Sequence, residues 1–303
     1  MSLPLPPSPL PTLAFVGAGR VGGALALAAH RAGYTVVGIT TRTPARARPL
    51  LAATGARLLP DLAAVVAAAD LVFLAVPDDA IAGVDAEGAG VWRAGLGVVH
   101  HSGLHGAGLL HHAAAAGASV GALHPLQTIT DPESAQSLLP GSYFGLSGDP
   151  DLLPVLREFV LALGGRPLLV PDEAKALYHA AAVFASNYLV TCFAQAVDLL
   201  AGLGIPADDA AQALLPLVQG AASNLAHRGL PQALTGPISR GDAGTLATHQ
   251  QHLAAARPDL LPLYQLLGRA TLPIAAAQDR LSPAALASLD AVLTLPTPSG
   301  ERP

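Results

Sequence analysis

Polar side chains that could transfer a proton follow a small-residue, strand-like run in the segment ALHPLQT. His124, Pro125 and Gln127 belong to this segment. A histidine titrates near neutral pH and can donate a proton to a developing alkoxide. Pro125 fixes the turn and removes a backbone donor. We therefore predict His124 as a candidate proton donor and Gln127 as a substrate contact; alternatively, His124 only braces the loop.

A second polar set lies on a long apolar helix predicted to begin at Asp172. Lys175, His179 and Ser186 are spaced so that they share one helical face, and Asn187 lies about 80° from it. Such a stripe must face water, a ligand or hydrogen-bond partners. His179 is thus a second candidate proton donor, unless it only bonds the neighbouring domain. Lys175, the single lysine, is a further catalytic candidate, and Ser186 and Asn187 are substrate contacts.

Three further side chains are candidate substrate contacts, and two of them, Ser102 and Arg240, could bind a substrate carboxylate. Ser102 follows a predicted strand, where it is a catalytic candidate that could bond a carboxylate or an amide group of a ligand. Arg240 and Asp242 lie in GPISRGD, which the flanking glycines and proline predict to be a shaped loop rather than a helix. Arg240 would pair with a carboxylate through two hydrogen bonds, or it forms a structural ion pair with Asp242.

The histidines do not predict a metal site. His249 and His252 are three residues apart on a predicted helix, but the sequence offers no obvious third ligand. Five of the other histidines are predicted to be strand-end or surface residues, namely His30, His100, His101, His111 and His112.

The elements that position these residues begin with a glycine-rich turn between a strand and a helix. The segment GAGRVG has the G-x-G-x-x-G spacing of a dinucleotide-binding loop in its proper strand–turn–helix context. Its first glycine permits the turn, the second lets the backbone approach a pyrophosphate, and the third lets the helix pack on the strand. The predicted cofactor contacts here are Gly17, Ala18, Gly19, Arg20, Val21 and Gly22.

The end of the second predicted strand indicates which dinucleotide binds. An NAD site usually carries an acidic residue here for the ribose 2′-hydroxyl. This chain instead has Thr41, Arg42, Thr43 and Arg46, whose hydroxyls and guanidinium groups suit a 2′-phosphate. We therefore predict NADP(H), the alternative being that the arginines only solvate a loop.

Further strand ends should border the same crevice, because ligands of such sheets bind at the carboxyl ends of the strands. The strand DLVFLAV leads to Val76, Pro77 and Asp78, all predicted cofactor contacts. The next strand leads to Ser102, which is also a predicted cofactor contact. His124 follows the strand after that and would form one wall of the cleft, opposite the helix that carries His179.

The predicted architecture is an α/β Rossmann domain over residues 12–170 and an all-α domain over residues 171–295. The strand pattern ends at Pro171, and only helical segments follow. The apolar segment 176–201 carries His179, Asn187, Gln195 and Asp198, which would be costly in lipid, so we predict a buried helix rather than a membrane span. The tail from Pro296 is predicted to be disordered.

Composition excludes several classes of function. Net charge is −5 and no basic cluster is present, which argues against nucleic-acid binding. The single Cys192 predicts a core thiol in a reducing compartment. The start has five prolines before residue 12 and no basic stretch, so it does not read as a signal peptide. We predict a cytoplasmic protein without a membrane span.

The motifs FVGAGRVGGAL, DLVFLAVPDDAI, HHSG, ALHPLQT, YHAAAVFASNYLV and LTGPISRGDAGTLATH resemble Rossmann-like proteins with a DUF2520 C-terminal domain. The resemblance covers about residues 12 to 290, and the last three motifs are fairly specific to this group. The first two are shared with the wider 6-phosphogluconate-dehydrogenase-like superfamily. That superfamily includes ketopantoate reductases, pyrroline-5-carboxylate reductases and coenzyme-F420-dependent NADP reductases.

The resemblance implies NAD(P) binding, a substrate site between the two domains and a homodimer formed through the helical domain. It favours an NADPH-dependent reductase of a small 2-oxo acid, with ketopantoate as the best single candidate. Hydroxyisobutyrate-type relatives have a lysine followed one turn later by an asparagine, whereas here Lys175 is followed by His179. The alternatives are imine reduction of the pyrroline-5-carboxylate type and a non-catalytic NADP-binding sensor or scaffold. The sequence does not decide whether coenzyme F420 takes part.

Overall fold

The structure, a computed structural model, describes residues 10–294 of the 303-residue chain. The tail from Pro296, predicted to be disordered, lies outside the described residues. The chain divides into two compact units between Thr191 and Cys192. The predicted boundary lay at residues 170 and 171, so the first unit extends past it through one further helix.

The first unit contains one sheet of eight strands in the order β3-β2-β1-β4-β5-β6-β7-β8, and all neighbouring pairs are parallel except β6 and β7. Strands β1 to β6 have the strand order of the Rossmann-type sheet predicted from the sequence, and β7 and β8 extend this sheet at one edge. The strands are β1 Leu13–Val16, β2 Val36–Thr40, β3 Arg57–Leu58, β4 Leu71–Leu74, β5 Gly97–His100, β6 Ser119–Pro125, β7 Tyr143–Gly148 and β8 Arg166–Leu169.

Helices connect these strands and cover the sheet. They are α1 Arg20–Arg31, α2 Pro44–Thr54, α3 Leu62–Ala68, α4 Asp78–Glu87, α5 His111–Ala115, α6 Ala135–Leu138, α7 Leu153–Ala162 and α8 Lys175–Ala185. Helix α9, Asn187–Ala201, spans the division between the units. Two short 3₁₀ turns, Ala107–Leu109 and Asp172–Ala174, precede α5 and α8.

The central strands are buried over their whole length, as expected for a parallel sheet covered on both faces. Every residue of β1, β4 and β5 is buried. On one face Phe15 stacks on Phe73 with ring centroids 5.0 Å apart, and Phe159 packs against Phe73 at 5.1 Å. This core fixes the carboxyl ends of the strands, where the candidate site residues lie.

The long helix predicted from residue 172 is interrupted at Ser186. Its backbone there is non-helical, with φ −125° and ψ −70°, and this residue separates α8 from α9. The hydroxyl of Ser186 donates to the carbonyl of Ala182 at 2.7 Å and lies 2.9 Å from Oδ1 of Asn187. A serine hydroxyl that bonds to the preceding turn bends a helix, and here the helix ends.

The second unit is helical throughout its described residues. After α9 it contains α10 Ala207–Arg228, α11 Pro237–Arg240, α12 Ala243–Ala256, α13 Leu261–Ala276 and α14 Pro283–Leu293. Its small core centres on Leu246, Leu289 and Leu293. The predicted loop around Arg240 is wrong at its start, because Pro237 occupies the first turn of the short helix α11.

The predicted burial of the apolar helix near residue 190 is also wrong within this single chain. Leu177 is 79% exposed, Phe184 70% and Val190 68%, and Cys192 is exposed rather than buried. Among the described residues, the helical stretch Asp172–Ala201 is long and apolar enough to cross a membrane by length and composition. None of the 18-residue apolar part that meets this criterion is buried. Sequence periodicity identified the helix but not what covers it.

Candidate functional site

The glycine-rich loop has the geometry that a dinucleotide requires. Gly17 has φ +108°, and a Cβ there would lie 2.3 Å from the carbonyl oxygen of Ala75. A Cβ on Gly22 would lie 2.5 Å from the Ala75 side chain. Gly19 differs, since a Cβ there would meet no atom closer than 4.0 Å. Gly17 and Gly22 are therefore required by packing, whereas Gly19 leaves open space in front of the loop.

That open space lies at the N-terminus of α1. Gly19 caps this 12-residue helix without a side-chain hydrogen bond, so the first backbone N–H groups point to whatever lies before the helix. Ala18 and Val21 are half-buried and the Arg20 side chain is exposed. A helix N-terminus with such a turn favours a phosphate group through N–H donors and the helix dipole.

The predicted selectivity residues lie together directly after β2. Thr41 is half-buried, and its hydroxyl accepts a hydrogen bond from the N–H of Thr43 at 3.3 Å. Arg42 and Arg46 are exposed, and the salt bridges of residues 10–294 do not include either of them. Two guanidinium groups beside the strand end are thus open to an anion.

Ser102 is committed to a local network at the end of β5. Its hydroxyl donates to Oδ2 of Asp78 at 2.6 Å and accepts from the N–H groups of Leu104 and His105. Asp78 begins α4 after Pro77, beside Val76 at the end of β4. The network links two strand ends, and it leaves the Ser102 hydroxyl without a proton to donate to a substrate.

Lys175 lies in the interior and does not line the cleft. Its side chain is fully buried, and Nζ donates to the carbonyl oxygen of Ser102 at 3.1 Å. Burial lowers the pKa of Lys175, while the carboxylates of Asp172 and Asp78 oppose that shift. The lysine predicted as catalytic therefore has a positioning contact with the end of β5.

His124 is paired with a tyrosine that the sequence analysis did not select. Nδ1 of His124 lies 2.9 Å from the hydroxyl of Tyr178, and the two rings meet edge to face at 5.6 Å. Burial lowers the pKa of His124 to about 4, with Lys175 and His179 adding to the effect. Burial raises the pKa of Tyr178 to about 12. At neutral pH both groups are uncharged, and the phenol keeps its proton.

A signal for Tyr178 was present in the sequence. Tyr178 lies three residues after Lys175 and directly before His179, within the quoted motif YHAAAVFASNYLV. Because an aromatic ring is expected on an apolar helix, the sequence analysis did not consider the Tyr178 hydroxyl as a functional group.

The imidazoles of His124 and His179 converge over Gly103. Their ring centroids are 6.1 Å apart at a steep angle of 83°. A Cβ on Gly103 would lie 2.7 Å from Cδ2 of His179 and 2.9 Å from Nε2 of His124. The absence of a side chain at Gly103 thus allows both predicted proton donors to approach one point.

A cleft of about 520 Å³ in the first unit joins most of the predicted substrate contacts. The break between α8 and α9 turns Ser186 and Asn187 toward the same cleft as His124 and Gln127. Its lining residues are His124, Leu126, Gln127, Thr128, Leu168, Tyr178, His179, Ala181, Ala182, Val183, Ala185, Ser186 and Asn187. The lining contains imidazole, phenol, amide and hydroxyl groups on an aliphatic surface, and no lysine or arginine.

Arg240 and Asp242 belong to the second unit. Asp242 caps α12, where its carboxylate accepts from the N–H and the hydroxyl of Thr245 at 3.0 and 2.6 Å. These hydrogen bonds lower the pKa of Asp242. The salt bridges of the described residues do not pair Arg240 with Asp242. The carboxylate predicted to contact substrate therefore has a helix-capping role.

The remaining histidines divide between the interior and the surface. His100 and His101 are buried at the end of β5, which agrees with the strand-end alternative of the prediction. Burial lowers the pKa of His101 to about 4. Nδ1 of His249 lies 2.9 Å from the hydroxyl of Tyr264, which gives this histidine a structural partner in the second unit.

The largest of the described cavities does not carry such chemistry. A groove of about 620 Å³ between α13 and α14 is lined mainly by aliphatic side chains. Its charged members, Arg269 and Asp290, are paired with each other at 3.2 Å. Three titratable groups, His124, Tyr178 and His179, line the smaller cleft instead.

Two domain families match the sequence, and together they define the class. A Rossmann-like domain matches residues 8–125, and DUF2520, a domain of unknown function, matches residues 142–271. The chain thus matches a Rossmann-like domain followed by DUF2520, which confirms the predicted family resemblance and fold class. Comparison with curated proteins gives no match.

Several solved structures share this fold over most of the chain. A candidate NADP oxidoreductase from Bacteroides fragilis is 26% identical, with a TM-score of 0.70, over 86% of this chain and 97% of its own. A Thermotoga maritima protein is 25% identical, with a TM-score of 0.71, over 88% and 100%. A reductive aminase from Aspergillus terreus in complex with NADPH is 20% identical, with a TM-score of 0.60, over 94% and 93%.

Proposed function

We propose that this protein is an NADPH-dependent oxidoreductase that reduces the C=O group of a small 2-oxo acid or related carbonyl compound. The observation that carries the proposal is the convergence of His124 and His179 over Gly103, in a cleft at the carboxyl edge of a Rossmann-type sheet. The likeness to a candidate NADP oxidoreductase supports the cofactor and the reaction class.

NADPH fits the residues at that edge. The open space before Gly19 accommodates a pyrophosphate, and the exposed guanidinium groups of Arg42 and Arg46 suit a 2′-phosphate. When bound, the nicotinamide supplies the hydride. The protein must then hold the substrate carbonyl and stabilise the negative charge that develops on its oxygen.

The pair of Tyr178 and His124 suits that second task. Because the pKa of Tyr178 is raised to about 12, its hydroxyl keeps a proton that it can donate to Nδ1 of His124. Nε2 of His124 then carries the single proton of the neutral ring and lies close to Gly103, beside the His179 ring. A neutral N–H donor in a partly dry cleft stabilises an oxyanion, and His179 offers a second donor beside it.

The polar groups that line the cleft indicate which substrates it can bind. The side-chain amide of Asn187 can donate to a carboxylate or a carbonyl without supplying a full charge. The Ser186 hydroxyl already donates to the carbonyl of Ala182, and the Gln127 amide N–H groups already donate to Leu138 and Ser142. Ketopantoate is the first 2-oxo acid to test. Because the lining contains no cationic side chain, reduction of a C=N group is the second candidate, and the fold shared with a reductive aminase agrees with it.

The test is oxidation of NADPH with ketopantoate, and then with a panel of oxo acids and cyclic imines, using NADH as the control. Saturable turnover that prefers NADPH supports the proposal. The double variant Arg42→Ala, Arg46→Ala should weaken NADPH binding by about 10- to 1,000-fold and leave NADH unaffected. Arg57→Ala, an exposed arginine on β3, is the matched control.

Binding of NADPH without turnover of any carbonyl or imine would refute the enzyme proposal and favour a cofactor-binding sensor. In that case a partner protein should be released or captured when NADPH is added. Turnover with NADH as fast as with NADPH would instead refute the assignment of Arg42 and Arg46.

We propose further that the chain acts as a homodimer through the apolar surface of α8 and α9. Phe184 stacks edge to face on Tyr188 with centroids 5.0 Å apart, and Leu177, Leu189 and Val190 are exposed around them. Exposed apolar area of this kind marks an interface or a membrane contact. Light scattering should give twice the chain mass, and Val190→Glu should give the single-chain mass. A monomer that binds lipid vesicles would refute the dimer.

A further inference from the structure

Three metal-ligating side chains lie together on the side of the first unit formed by α4 and α5. They are Asp85 from α4 and the consecutive His111 and His112 from α5. One ligand atom from each falls within 4.8 Å of the other two. None of the three lines the substrate cleft.

Asp85 is held rigidly. Its side chain is fully buried, Oδ1 accepts from the N–H of Ala113 at 3.0 Å, and Oδ2 accepts from the N–H of His112 at 2.8 Å. The indole N–H of Trp92 donates to the backbone carbonyl of Asp85 at 2.8 Å. A carboxylate oxygen has two lone pairs, so Oδ2 can keep its backbone donor and still bind a further group.

The two imidazoles approach the same oxygen. Nδ1 of His112 lies 3.1 Å and Nδ1 of His111 lies 3.7 Å from Oδ2 of Asp85. Zinc binds nitrogen and oxygen at about 2.0–2.1 Å, which places neighbouring ligands of a tetrahedral site about 3.3–3.4 Å apart. The two observed distances lie on either side of that value.

A helix-capping role for Asp85 does not account for both imidazoles. The cap uses the backbone N–H groups of His112 and Ala113, and the His112 ring adds a 3.1 Å hydrogen bond between Nδ1 and Oδ2, but the His111 ring makes no hydrogen bond to the carboxylate. The His111 ring is 3.7 Å from the carboxylate, beyond hydrogen-bond distance, yet its centroid is 4.0 Å from that of His112. Both rings present Nδ1 to one buried carboxylate.

We propose that Oδ2 of Asp85 and Nδ1 of His111 and His112 bind a divalent ion of the zinc type, with a water molecule as the fourth ligand. Partial exposure of both histidines gives the ion access and room for that water. Asp85 lies seven residues after Asp78 on α4, about 10 Å along the helix axis. The ion would therefore join α4 to α5 and would not touch the substrate, so this site does not depend on the proposed reaction.

The experiment uses the full chain after dialysis against a chelator. Zn²⁺ is titrated by calorimetry, and Co²⁺ is added as a spectroscopic probe of tetrahedral geometry. The wild-type chain should bind one ion, with a tetrahedral Co²⁺ spectrum that lacks a thiolate charge-transfer band, since the exposed Cys192 is not a ligand. His111→Ala should weaken binding by at least about 10-fold, as should His112→Ala.

His111→Ala is the primary variant because it leaves the backbone cap and the buried carboxylate in place. His252→Ala, an exposed histidine on α12, is the matched control and should bind as the wild type does. Zn²⁺ should raise the unfolding midpoint of the wild type and of the control, but not of His111→Ala. Absence of saturable 1:1 binding to the wild-type chain, or wild-type affinity for Zn²⁺ in either His111→Ala or His112→Ala, would overturn the proposal.

Discussion

Substitution of Gly103 by alanine perturbs the candidate active site at one defined point. The added Cβ would lie 2.7 Å from Cδ2 of His179 and 2.9 Å from Nε2 of His124. Non-bonded carbon contacts are favourable at about 3.5–4.0 Å, so the two imidazoles must retreat by about 1 Å. The backbone of Gly103 is not left-handed, so alanine itself can adopt its conformation.

The size of the effect follows from that displacement. A misplacement of about 1 Å at a reacting centre can reduce the rate by about 100-fold, equivalent to about 2.7 kcal/mol of activation free energy. Retreat of His124 also disturbs its 2.9 Å contact with Tyr178. Overpacking should reduce the free energy of unfolding by about 1–3 kcal/mol, which a domain of this size can tolerate.

The assay measures kcat for NADPH oxidation, the Kd of NADPH by fluorescence and the unfolding midpoint. We expect kcat to fall about 100-fold while the Kd of NADPH changes by less than about threefold, because the phosphate loop is untouched. Gly83→Ala is the matched control. Gly83 lies inside α4, where a Cβ meets nothing within 4 Å, so its kcat and Kd should equal those of the wild type.

Wild-type turnover in a folded Gly103→Ala variant would refute the reasoning, because neither imidazole could then act at the reacting carbonyl. A large rise in the Kd of NADPH with unchanged kcat would show that this space holds cofactor rather than substrate.

The remaining predictions concern the cofactor loop, the tyrosine and the buried histidines. Gly19→Ala should fold normally and weaken NADPH binding by at least about 10-fold, because its Cβ enters only the open space before the loop. Gly22→Ala should instead lower the free energy of unfolding, because its Cβ would clash with Ala75. NADPH titration and thermal unfolding measure the two effects, and unchanged NADPH affinity in Gly19→Ala would contradict the loop assignment. Tyr178→Phe should lower kcat about 10-fold with little change in NADPH affinity, since it removes one hydrogen bond to His124; a change confined to the unfolding midpoint would make that contact structural. The pKa values of His101 and His124 are lowered to about 4 in the folded state, so the unfolded state, with values near 6.5, binds protons first as the pH falls. The contribution of these histidines to the free energy of unfolding should be complete above pH 6.5 and should fall between pH 6.5 and 4 by up to about 1.4 kcal/mol per pH unit for each histidine. Denaturant unfolding at several pH values should show a smaller dependence on pH in His124→Gln. An unchanged dependence would mean that His124 is not buried in its neutral form.

Features that depend on neighbouring residues in the chain could be predicted from the sequence. The spacing of Gly17, Gly19 and Gly22 between an apolar strand and a helix predicted the turn, because close backbone packing there tolerates no side chain. Asp61 directly precedes α3 in the sequence, and its carboxylate accepts from the N–H of Ala64, which is the local pattern of a helix N-cap. The order of strands and helices followed from periodicity in the same way.

Burial and hydrogen-bond partners were decided by residues distant in the chain. Lys175 shared a helical stripe with His179, yet its amine lies inside the protein against the carbonyl of Ser102, 73 positions away. Tyr178 gained a role only through contact with His124, 54 positions away. No local pattern records such contacts.

The sequence by itself therefore determined the fold class, the cofactor loop and the set of polar side chains available for chemistry, because these depend on short-range geometry and hydrophobic periodicity. The tertiary structure alone decided how they combine: His124 and His179 over Gly103, Ser186 and Asn187 at the helix break, and Asp242 as a helix cap. The physical reason is that buried polar groups must find partners, and those partners are chosen by packing in space rather than by position along the chain.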